Sequence, residues 1–536
     1  MKIKNITLAA LALSFTLASC NEWLDVMPDN RAEVDTEDKV ASILVSAYPE
    51  ISYIMCAELS SDNVDDFGAS FPAHNRILGQ FFRWEDVTET DNEDPKGIWE
   101  ASYGAITNAN QALASIEEMG VSSPSIDASR GEALLCRAYN HFVLVNMFCK
   151  AYNPATADTD LGIPYMSGPE IELNPKYERG TVAEVYEKIA KDLEEGLPLV
   201  NDATYKIPKY HFNEKAAYTF ASRFYLFYGK WDKAIECANA ALGAAPQELL
   251  RDYATINTFP RDENWTQAVQ WNSTNMKNNF LLMTAYSSLG YYYSGYSYET
   301  RISTGNMLIQ TEIMNNAPWG RTAPSMDDYS YRNFYLCKAF VYLGTNFDKT
   351  HWPKLPLIFE YIDPVAGIGY RRTNYAAITA EEALLNRAEA YIAKGEFDNA
   401  LVDINLWAGN TLNLSRCNPS VLTQESIKAW ADGMEYYTPM DPTPKKRLNP
   451  ILLDVEEGSQ LEAMLHAILY IRRLEFMQMG RRWFDVKRYG IEISRRTMTS
   501  DLAVKSVEDV LTVDDERRAI QLPQDVITAG LTANPR

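Results

Sequence analysis

The chain has 536 residues, with 72 acidic and 50 basic side chains, so its formal net charge is −22. This excess of negative charge argues against binding to nucleic acid or to anionic lipid headgroups. An apolar content of 46% is typical of a globular protein with a large core and excludes a disordered chain.

The N-terminal residues have the pattern of a bacterial lipoprotein signal. Lys2 and Lys4 precede a short apolar run from Ile6 to Leu17, and small residues lead to Cys20. The run is too short to cross a bilayer as a stable helix. We expect residues 1–19 to be removed and Cys20 to carry the lipid that holds the protein at a membrane. An ordinary secretory signal with a chance cysteine is the alternative.

Three segments predict where long helices begin. Residues 129–132, 181–184 and 379–382 each have the Ser/Thr-x-x-Glu pattern of a capping box, followed by helical spacing of apolar residues. The second of these helices is expected to end at Gly196, with Pro198 just beyond it. The fold is therefore predicted to be mainly α.

Two segments, 221–242 and 385–407, share one spacing of aromatic residues, glycine and alanine. The matching positions are Tyr225, Gly229, Trp231 and Ala234 in the first copy and Tyr391, Gly395, Phe397 and Ala400 in the second. This spacing is typical of tetratricopeptide repeats, in which two antiparallel helices cross closely beside a glycine turn. The sequence also contains a looser pair, at 130–150 and 181–198, and a further helix at 98–118. Together with the two copies, these segments predict about four helix pairs. Two chance helical hairpins are the alternative.

Residues 252–375, between the two copies, have a different composition. Of these 124 residues, 24 are aromatic, or about 19%, whereas 12% of the whole chain is aromatic. Five of the 24 are tyrosines between positions 291 and 298. Glycine, proline, asparagine and serine interrupt the segment, and no long helical period is present. A long, aromatic, weakly charged insert in a helical scaffold is expected to be folded and to carry function.

No pattern in the chain predicts a metal, a cofactor or a catalytic centre. The six cysteines after Cys20 and the five histidines lack the spacing of a zinc site. The acidic segment 85–95 lacks the spacing of a calcium loop. Signatures of metalloproteases, serine hydrolases and nucleotide-binding proteins are absent. We expect no cofactor and no enzymatic activity; a glycosidase with two distant carboxylates is the enzyme class that the sequence leaves open.

The order of several motifs resembles the SusD-like, or RagB-like, nutrient-binding lipoproteins of the Bacteroidetes outer membrane. The segments that carry the resemblance are CNEWLDVMP (20–28), IWEASYGAITNANQAL (98–113), RAYNHFVLVNMF (137–148), GIPYM (162–166), VYEKIAKDLEEGLPLV (185–200), the two repeat copies, and IRRLEFMQMGRRWFDVKRYG (471–490). Each segment alone is a weak signal, but together they follow the lipoprotein cysteine in the family's order.

The resemblance implies a fold, a location and a function. The fold is four tetratricopeptide-like units packed against a loop-rich, aromatic-rich binding half. It would form a single domain from 20 to 536, with a scaffold at about 30–250 and 376–536 and the binding insert at about 252–375. The protein would lie on the cell exterior, capture oligosaccharides and deliver them to a SusC-like, TonB-dependent outer-membrane transporter. A peptide ligand, or a helical-repeat interaction scaffold without a small ligand, are the alternatives.

The family has no fixed binding residues, so candidate positions come from residue chemistry. A sugar ring stacks its C–H face on an aromatic ring and offers its hydroxyls to polar groups. The candidate ligand-binding residues are Trp271, Tyr286, Tyr291, Tyr292, Tyr293, Tyr296 and Trp319, with Arg301 for hydroxyls and the loops near Asp66 as the second location. Each single ring could instead pack the loops.

The basic C-terminal segment 471–490 has a structural interpretation. Glu475 and Asp485 interrupt its positive charges, so paired charges that pack a terminal helix are expected rather than a nucleic-acid patch.

Overall fold

A computed structural model describes most of the chain. The described residues are 34–68, 75–170, 175–260, 265–293, 301–320, 334–338, 340–344, 347–499 and 503–536. The predicted lipoprotein signal, Cys20 and Tyr296 lie outside these ranges. No helix within them is both long enough and apolar enough to cross a membrane.

About half of the structure is helical and little of it is sheet, which confirms the mainly α prediction. The first half contains α1 (Glu37–Leu44), α2 (Ile54–Ser60), α3 (Arg76–Phe82), α4 (Pro95–Met119), α5 (Pro124–Phe148), α6 (Val182–Gly196), α7 (Glu214–Phe227) and α8 (Trp231–Leu242). The rest contains α9 (Tyr253–Ile256), α10 (Thr266–Trp271), α11 (Leu289–Tyr293), α12 (Asn306–Leu308), α13 (Ala380–Ala393), α14 (Phe397–Thr411), α15 (Gln424–Asp432), α16 (Gln460–Glu475), α17 (Arg481–Arg488) and α18 (Gln524–Thr528).

The predicted helix starts are correct at two of the three positions. Thr181 and Glu184 form a reciprocal capping box, and α6 ends at Gly196 as expected. Thr379 caps α13 by accepting the Glu382 backbone N–H. The start predicted at 129–132 is wrong, because α5 already begins at Pro124.

The true start of α5 has its own sequence signal. Ser123 accepts the Ile126 backbone N–H at 3.1 Å, and Pro124 occupies the first helical turn. A serine followed by proline is a strong start signal, since proline needs no N–H partner there. Glu132 is consequently mid-helix, where its carboxylate accepts a hydrogen bond from the Tyr48 hydroxyl.

The two repeat copies fold into matching helix pairs, α7–α8 and α13–α14. Gly229 and Gly395 occupy the turns with φ of 72° and 76°, a left-handed backbone that favours glycine. The same turn hydrogen bond closes both pairs, from Lys230 N to Tyr225 O and from Glu396 N to Tyr391 O, each 2.9 Å. Ala234 and Ala400 are fully buried at the helix crossings, which confirms the repeat prediction.

The structure contains β-strands, within the insert and outside it, that the sequence analysis did not predict. The strands are β1 (Asp65–Asp66), β2 (Asn279–Tyr286), β3 (Ile302–Ser303), β4 (Phe340–Gly344), β5 (Phe347–His351), β6 (Ile358–Asp363), β7 (Ile368–Thr379), β8 (Ile493–Met498) and β9 (Val504–Leu511). They form sheets of order β3-β1-β8-β9, β2-β7-β6 and β4-β5. The strand β2 is buried on both faces over most of its length, so it lacks the alternation that identifies a half-buried strand.

The central strand β7 extends beyond its neighbour β2. Tyr286, the last residue of β2, pairs with Arg372, so the earlier residues of β7 pair only with β6. We call residues 358–372 the β6–β7 hairpin. It projects from the sheet, and both of its strands are largely exposed.

One contiguous hydrophobic core runs from Val40 to Leu522 and includes rings of the insert such as Trp271 and Trp319. The insert and the helical scaffold therefore share a core. The insert does not have a hydrophobic core of its own, separate from that of the helices, within the described residues.

The C-terminal helices α16 and α17 pack through buried ion pairs. Arg472 donates to Asp485 at 3.1 Å, and Arg488 donates to Glu389 of α13 at 2.6 Å and to Asp485 at 2.7 Å. The interpretation of residues 471–490 as a packing segment is confirmed.

Candidate ligand-binding surface

The two predicted tryptophans are buried. Trp271 is 4% exposed, and the Arg251 guanidinium lies 3.5 Å from its ring centroid. Trp319 is 0% exposed and packs against Trp407, with ring centroids 5.9 Å apart. A ring must be exposed to stack on a sugar, so the structure gives no support for ligand contact at these two positions.

The tyrosine run from 291 to 293 forms the last part of the short helix α11. Tyr292 and Tyr293 are buried, whereas Tyr291 is half-exposed. The Tyr292 hydroxyl accepts a hydrogen bond from Asn75 Nδ2 at 3.2 Å, and burial raises the pKa of Tyr293 well above its usual range. Successive helical residues point about 100° apart, so only one of the three faces outward.

We give the name Tyr–Arg surface to the patch formed by Tyr286, Tyr291, Tyr370, Arg371 and Arg372. Tyr370 is exposed, and the other four side chains are half-buried. The rings of Tyr286 and Tyr370 meet edge to face at 5.5 Å. Arg372 lies 4.1 Å above the Tyr286 ring and donates to its hydroxyl at 2.6 Å. Arg371 lies 3.7 Å above the Tyr291 ring. Each guanidinium is thus fixed against a ring, which lowers the entropy it loses on binding a ligand.

The alternation of β7 divides this surface between two faces. Tyr370 and Arg372 share the face of Tyr286, and Arg371 points to the opposite face, where it meets Tyr291. Both faces combine an aromatic ring with guanidinium N–H donors. That combination suits a ligand with an apolar face and many oxygen acceptors.

A buried carboxylate holds the turn that carries Tyr286 and Tyr291. Glu93 accepts from the Ser287 hydroxyl at 2.7 Å and from the Ser288 backbone N–H at 2.8 Å. Burial raises the pKa of Glu93 to about 8, although these two hydrogen bonds oppose the shift. The side chain therefore fixes the surface from beneath and does not act as an exposed acid.

Gly290 allows this turn to approach the chain before β6. A Cβ atom at position 290 would lie 2.7 Å from the Pro356 carbonyl oxygen, closer than side chains tolerate. Because glycine has no side chain, Gly290 allows α11 to lie against the base of the hairpin.

Asp66 and Arg301, which the sequence analysis named separately, form an ion pair. The Arg301 Nη2 donates to Asp66 Oδ2 at 2.9 Å, and Asp66 Oδ1 also accepts the Gly68 N–H at 2.8 Å. This pair joins the adjacent strands β1 and β3. Its charges are matched within the protein, so its evident role in this structure is to hold the two strands together.

A wide groove of about 740 Å³ adjoins the Tyr–Arg surface. The groove lies between the first turns of α4 and residues 46–51. It adjoins the surface through Glu50, a lining residue whose backbone carbonyl accepts the Tyr286 N–H at 2.8 Å. Its charged lining residues are Glu50, Asp91, Asp94, Lys96 and Glu100.

Sequence reasoning missed this groove together with Tyr370, Arg371 and Arg372. The consecutive Tyr-Arg-Arg was a visible signal, but only the strand register brings it beside Tyr286. No single segment of the sequence contains the groove lining.

Residues 22–226 match a family model, SusD-like_3, described as starch-binding associating with outer membrane. A SusD superfamily protein from Bacteroides thetaiotaomicron has a TM-score of 0.62 at 18% identity, covering 94% of this chain and all of the other. A putative sugar binding protein from Bacteroides vulgatus has a TM-score of 0.64 at 18% identity, covering 94% and 99%.

A SusD-like carbohydrate binding protein from Bacteroides vulgatus is also similar, with a TM-score of 0.58 at 13% identity over 92% of this chain and 96% of that one. No curated protein sequence matches the chain. The resemblance seen in the sequence is confirmed: residues 22–226 match the SusD-like_3 family model, and SusD superfamily proteins share the fold over nearly the whole length of the chain.

Proposed function

We propose that this protein captures oligosaccharides on the Tyr–Arg surface and delivers them to a SusC-like, TonB-dependent transporter at the exterior of the outer membrane. The observation that carries the proposal is the pair of contacting rings, exposed Tyr370 and half-buried Tyr286, with Arg372 held against Tyr286. The family description, starch-binding with outer-membrane association, supports a carbohydrate ligand. The protein acts by binding and not by catalysis.

The expected affinity is modest, which suits a protein that must release its ligand. Stacking one sugar face buries roughly 40 Å² on each partner, which at about 25 cal/mol per Å² stabilises the complex by about 1–2 kcal/mol per ring. Two or three such contacts give dissociation constants from about micromolar to millimolar.

We further propose the location and the organisation that the sequence predicted. Lipidation of Cys20 would hold residues 20–536, as a single domain, on the outer membrane. The core that runs from Val40 to Leu522 supports one domain.

Changing Cys20 to Ala should move the protein from the membrane fraction to the soluble fraction without changing its melting temperature. Retention in the membrane fraction would contradict the anchor.

Binding is tested first on arrays of glycans and peptides, and then by calorimetry with the glycan that binds. Tyr286→Ala and Tyr291→Ala should each weaken binding about five- to thirtyfold, the equivalent of about 1–2 kcal/mol. Tyr210→Ala is the matched control, because Tyr210 is 44% exposed and lies outside the surface.

Each outcome of this experiment has a distinct meaning. If both variants bind the array-identified glycan normally while folding is intact, the Tyr–Arg surface is not the site. If only peptides bind on the arrays, the protein is a peptide-binding member of the same family. If neither array binds, the interaction-scaffold alternative replaces nutrient capture.

A further inference from the structure

The β6–β7 hairpin ends in exposed aliphatic side chains. Val365, in the turn, is 99% exposed, and Ile362 and Ile368 beside it are 62% and 60% exposed. We call these three residues the hairpin tip. Single exposed apolar residues are ordinary on protein surfaces, but three adjacent ones at the end of a projecting element indicate contact with an apolar environment.

The residues below the tip follow the order of a membrane interface. Tyr361 and Phe359 come next along β6, with ring centroids 4.8 Å apart, and Arg371 and Arg372 lie at the base. At about 3.3 Å per residue, Tyr361 stands roughly 10 Å from the end of the turn. Bilayers present the same sequence of layers, in which hydrocarbon is followed by an aromatic belt and then by phosphate groups.

The apolar side chains surround the hairpin instead of covering one side of it. Phe359 and Tyr361 share one face of β6, whereas Tyr370 of β7 lies on the opposite face with Tyr286. A partner protein with a flat surface would cover one face and leave the other in water. Lipid surrounds an inserted tip on all sides, so this distribution favours lipid as the occupant.

The two acidic residues of the hairpin have local partners. Glu360 forms an ion pair with Arg372. The Asp363 carboxylate accepts the backbone N–H groups of Val365 and Ala366 at 2.9 and 3.0 Å. These contacts lower the cost of bringing both carboxylates to the interface, and the charge near the turn stops the tip at the boundary between headgroups and acyl chains.

We propose that the hairpin tip inserts into the interface of a lipid bilayer and gives the protein a membrane contact in addition to the proposed lipid on Cys20. The lipid surface must be zwitterionic or weakly charged, since a net charge of −22 repels an anionic one. The tip would then set the orientation of the protein against the membrane, which a flexible lipid tether alone does not do.

Flotation with phosphatidylcholine vesicles tests the proposal on a chain that begins at Asn21. Every residue of the described core lies between Val40 and Leu522, so this chain keeps the core and lacks the acyl chains. The unmodified sequence should float with the vesicles. Val365→Asp combined with Ile368→Asp should lower the bound fraction about tenfold or more. Val421→Asp is the matched control, because Val421 is 59% exposed and lies outside the hairpin.

Circular dichroism melts accompany flotation, and since the tip side chains are exposed, all variants should melt together. The proposal is overturned if the unmodified sequence stays with the soluble fraction, or if the tip variant and the control float equally. Analytical ultracentrifugation of the unmodified chain and of the tip variant then identifies the occupant. If the unmodified chain is a dimer and the tip variant is a monomer, the tip contacts a second copy of the chain. Retained glycan binding by the tip variant separates this result from any failure of the Tyr–Arg surface.

Discussion

The helix pairs of the scaffold and the β6–β7 hairpin use aromatic residues in opposite ways. In the pair α7–α8, Tyr225 is buried and fills the space beside a close helix crossing. In the hairpin, Tyr361 and Tyr370 are 57% and 48% exposed and have no further layer above them. Residue type therefore does not decide burial. An aromatic ring is buried where the element that carries it has a partner layer.

The largest expected effect comes from placing a charge in a helix crossing of the scaffold. Ala400→Arg should lower the free energy of unfolding by about 5 kcal/mol or prevent folding, because Ala400 is fully buried. Val402→Arg, on the same helix at a position 67% exposed, should change it by less than about 0.5 kcal/mol. Equal denaturant midpoints for the two variants would contradict the repeat packing.

A somewhat smaller effect is expected at Asp62, where the N-terminal helices meet the C-terminal ones. Its carboxylate accepts from Arg482 at 2.7 Å and from Lys446 at 2.8 Å. Asp62→Asn should cost about 3–4 kcal/mol, since it leaves buried cations uncompensated. Asp432→Asn, in an exposed pair with Lys428, should cost less than about 1 kcal/mol.

The same carboxylate predicts a dependence on pH. Burial alone would raise the pKa of Asp62, but Arg473, Arg482 and Lys446 lower it well below its usual range. The stabilisation is therefore complete above the ordinary aspartate pKa, near 4, and is lost as the pH falls below it. Acid melts of Asp62→Asn should be flatter than those of the unmodified chain, and parallel curves would contradict this assignment.

Within the insert, neighbouring tyrosines should behave differently. Tyr293→Ala should lower the free energy of unfolding by about 3 kcal/mol, because a buried ring leaves a cavity. Tyr291→Ala should lower it by less than about 1 kcal/mol, since that ring is half-exposed beneath Arg371. Thermal melts run beside calorimetry separate stability from binding, and equal losses for the two variants would contradict the helical turn of α11.

The smallest effect concerns Glu93, which joins α4 to the insert. Its folded-state pKa is raised to about 8, so the ionised form is disfavoured and stability falls as the pH rises from about 4.5 to 8. Glu93→Gln should remove this slope, so its gain in stability over the unmodified chain should be larger at pH 8 than at pH 5. A loss of stability at both values would indicate that the carboxyl group itself is required.

The fold was largely predictable from the sequence, because capping and helical spacing act over short distances. Thr181 and the glycine at position 229 predict a helix start and a turn from neighbouring residues alone. The strands were not predictable in the same way, since β2 is buried on both faces and reads as an undivided apolar run.

The candidate surface was only partly predictable. Tyr286 and Tyr291 are half-exposed, which leaves part of each ring accessible to a ligand. The register that brings Arg371 and Arg372 beside them depends on a pairing between residues about 86 positions apart. Composition could not reveal that Trp319 faces the core, because its burial depends on contact with the distant Trp407.

The junction between β7 and α13 has a mechanical consequence. The strand ends at Thr379 and the helix begins at Ala380, so no loop separates β7, which continues from the hairpin, from the first helix of the second repeat copy. The Asn278 carbonyl also accepts the Ala380 N–H at 2.9 Å, which clamps the junction to β2. A continuous strand thus connects the hairpin tip at Val365 to the first helix of the second repeat copy. We therefore expect the hairpin and the helix pair α13–α14 to tilt together.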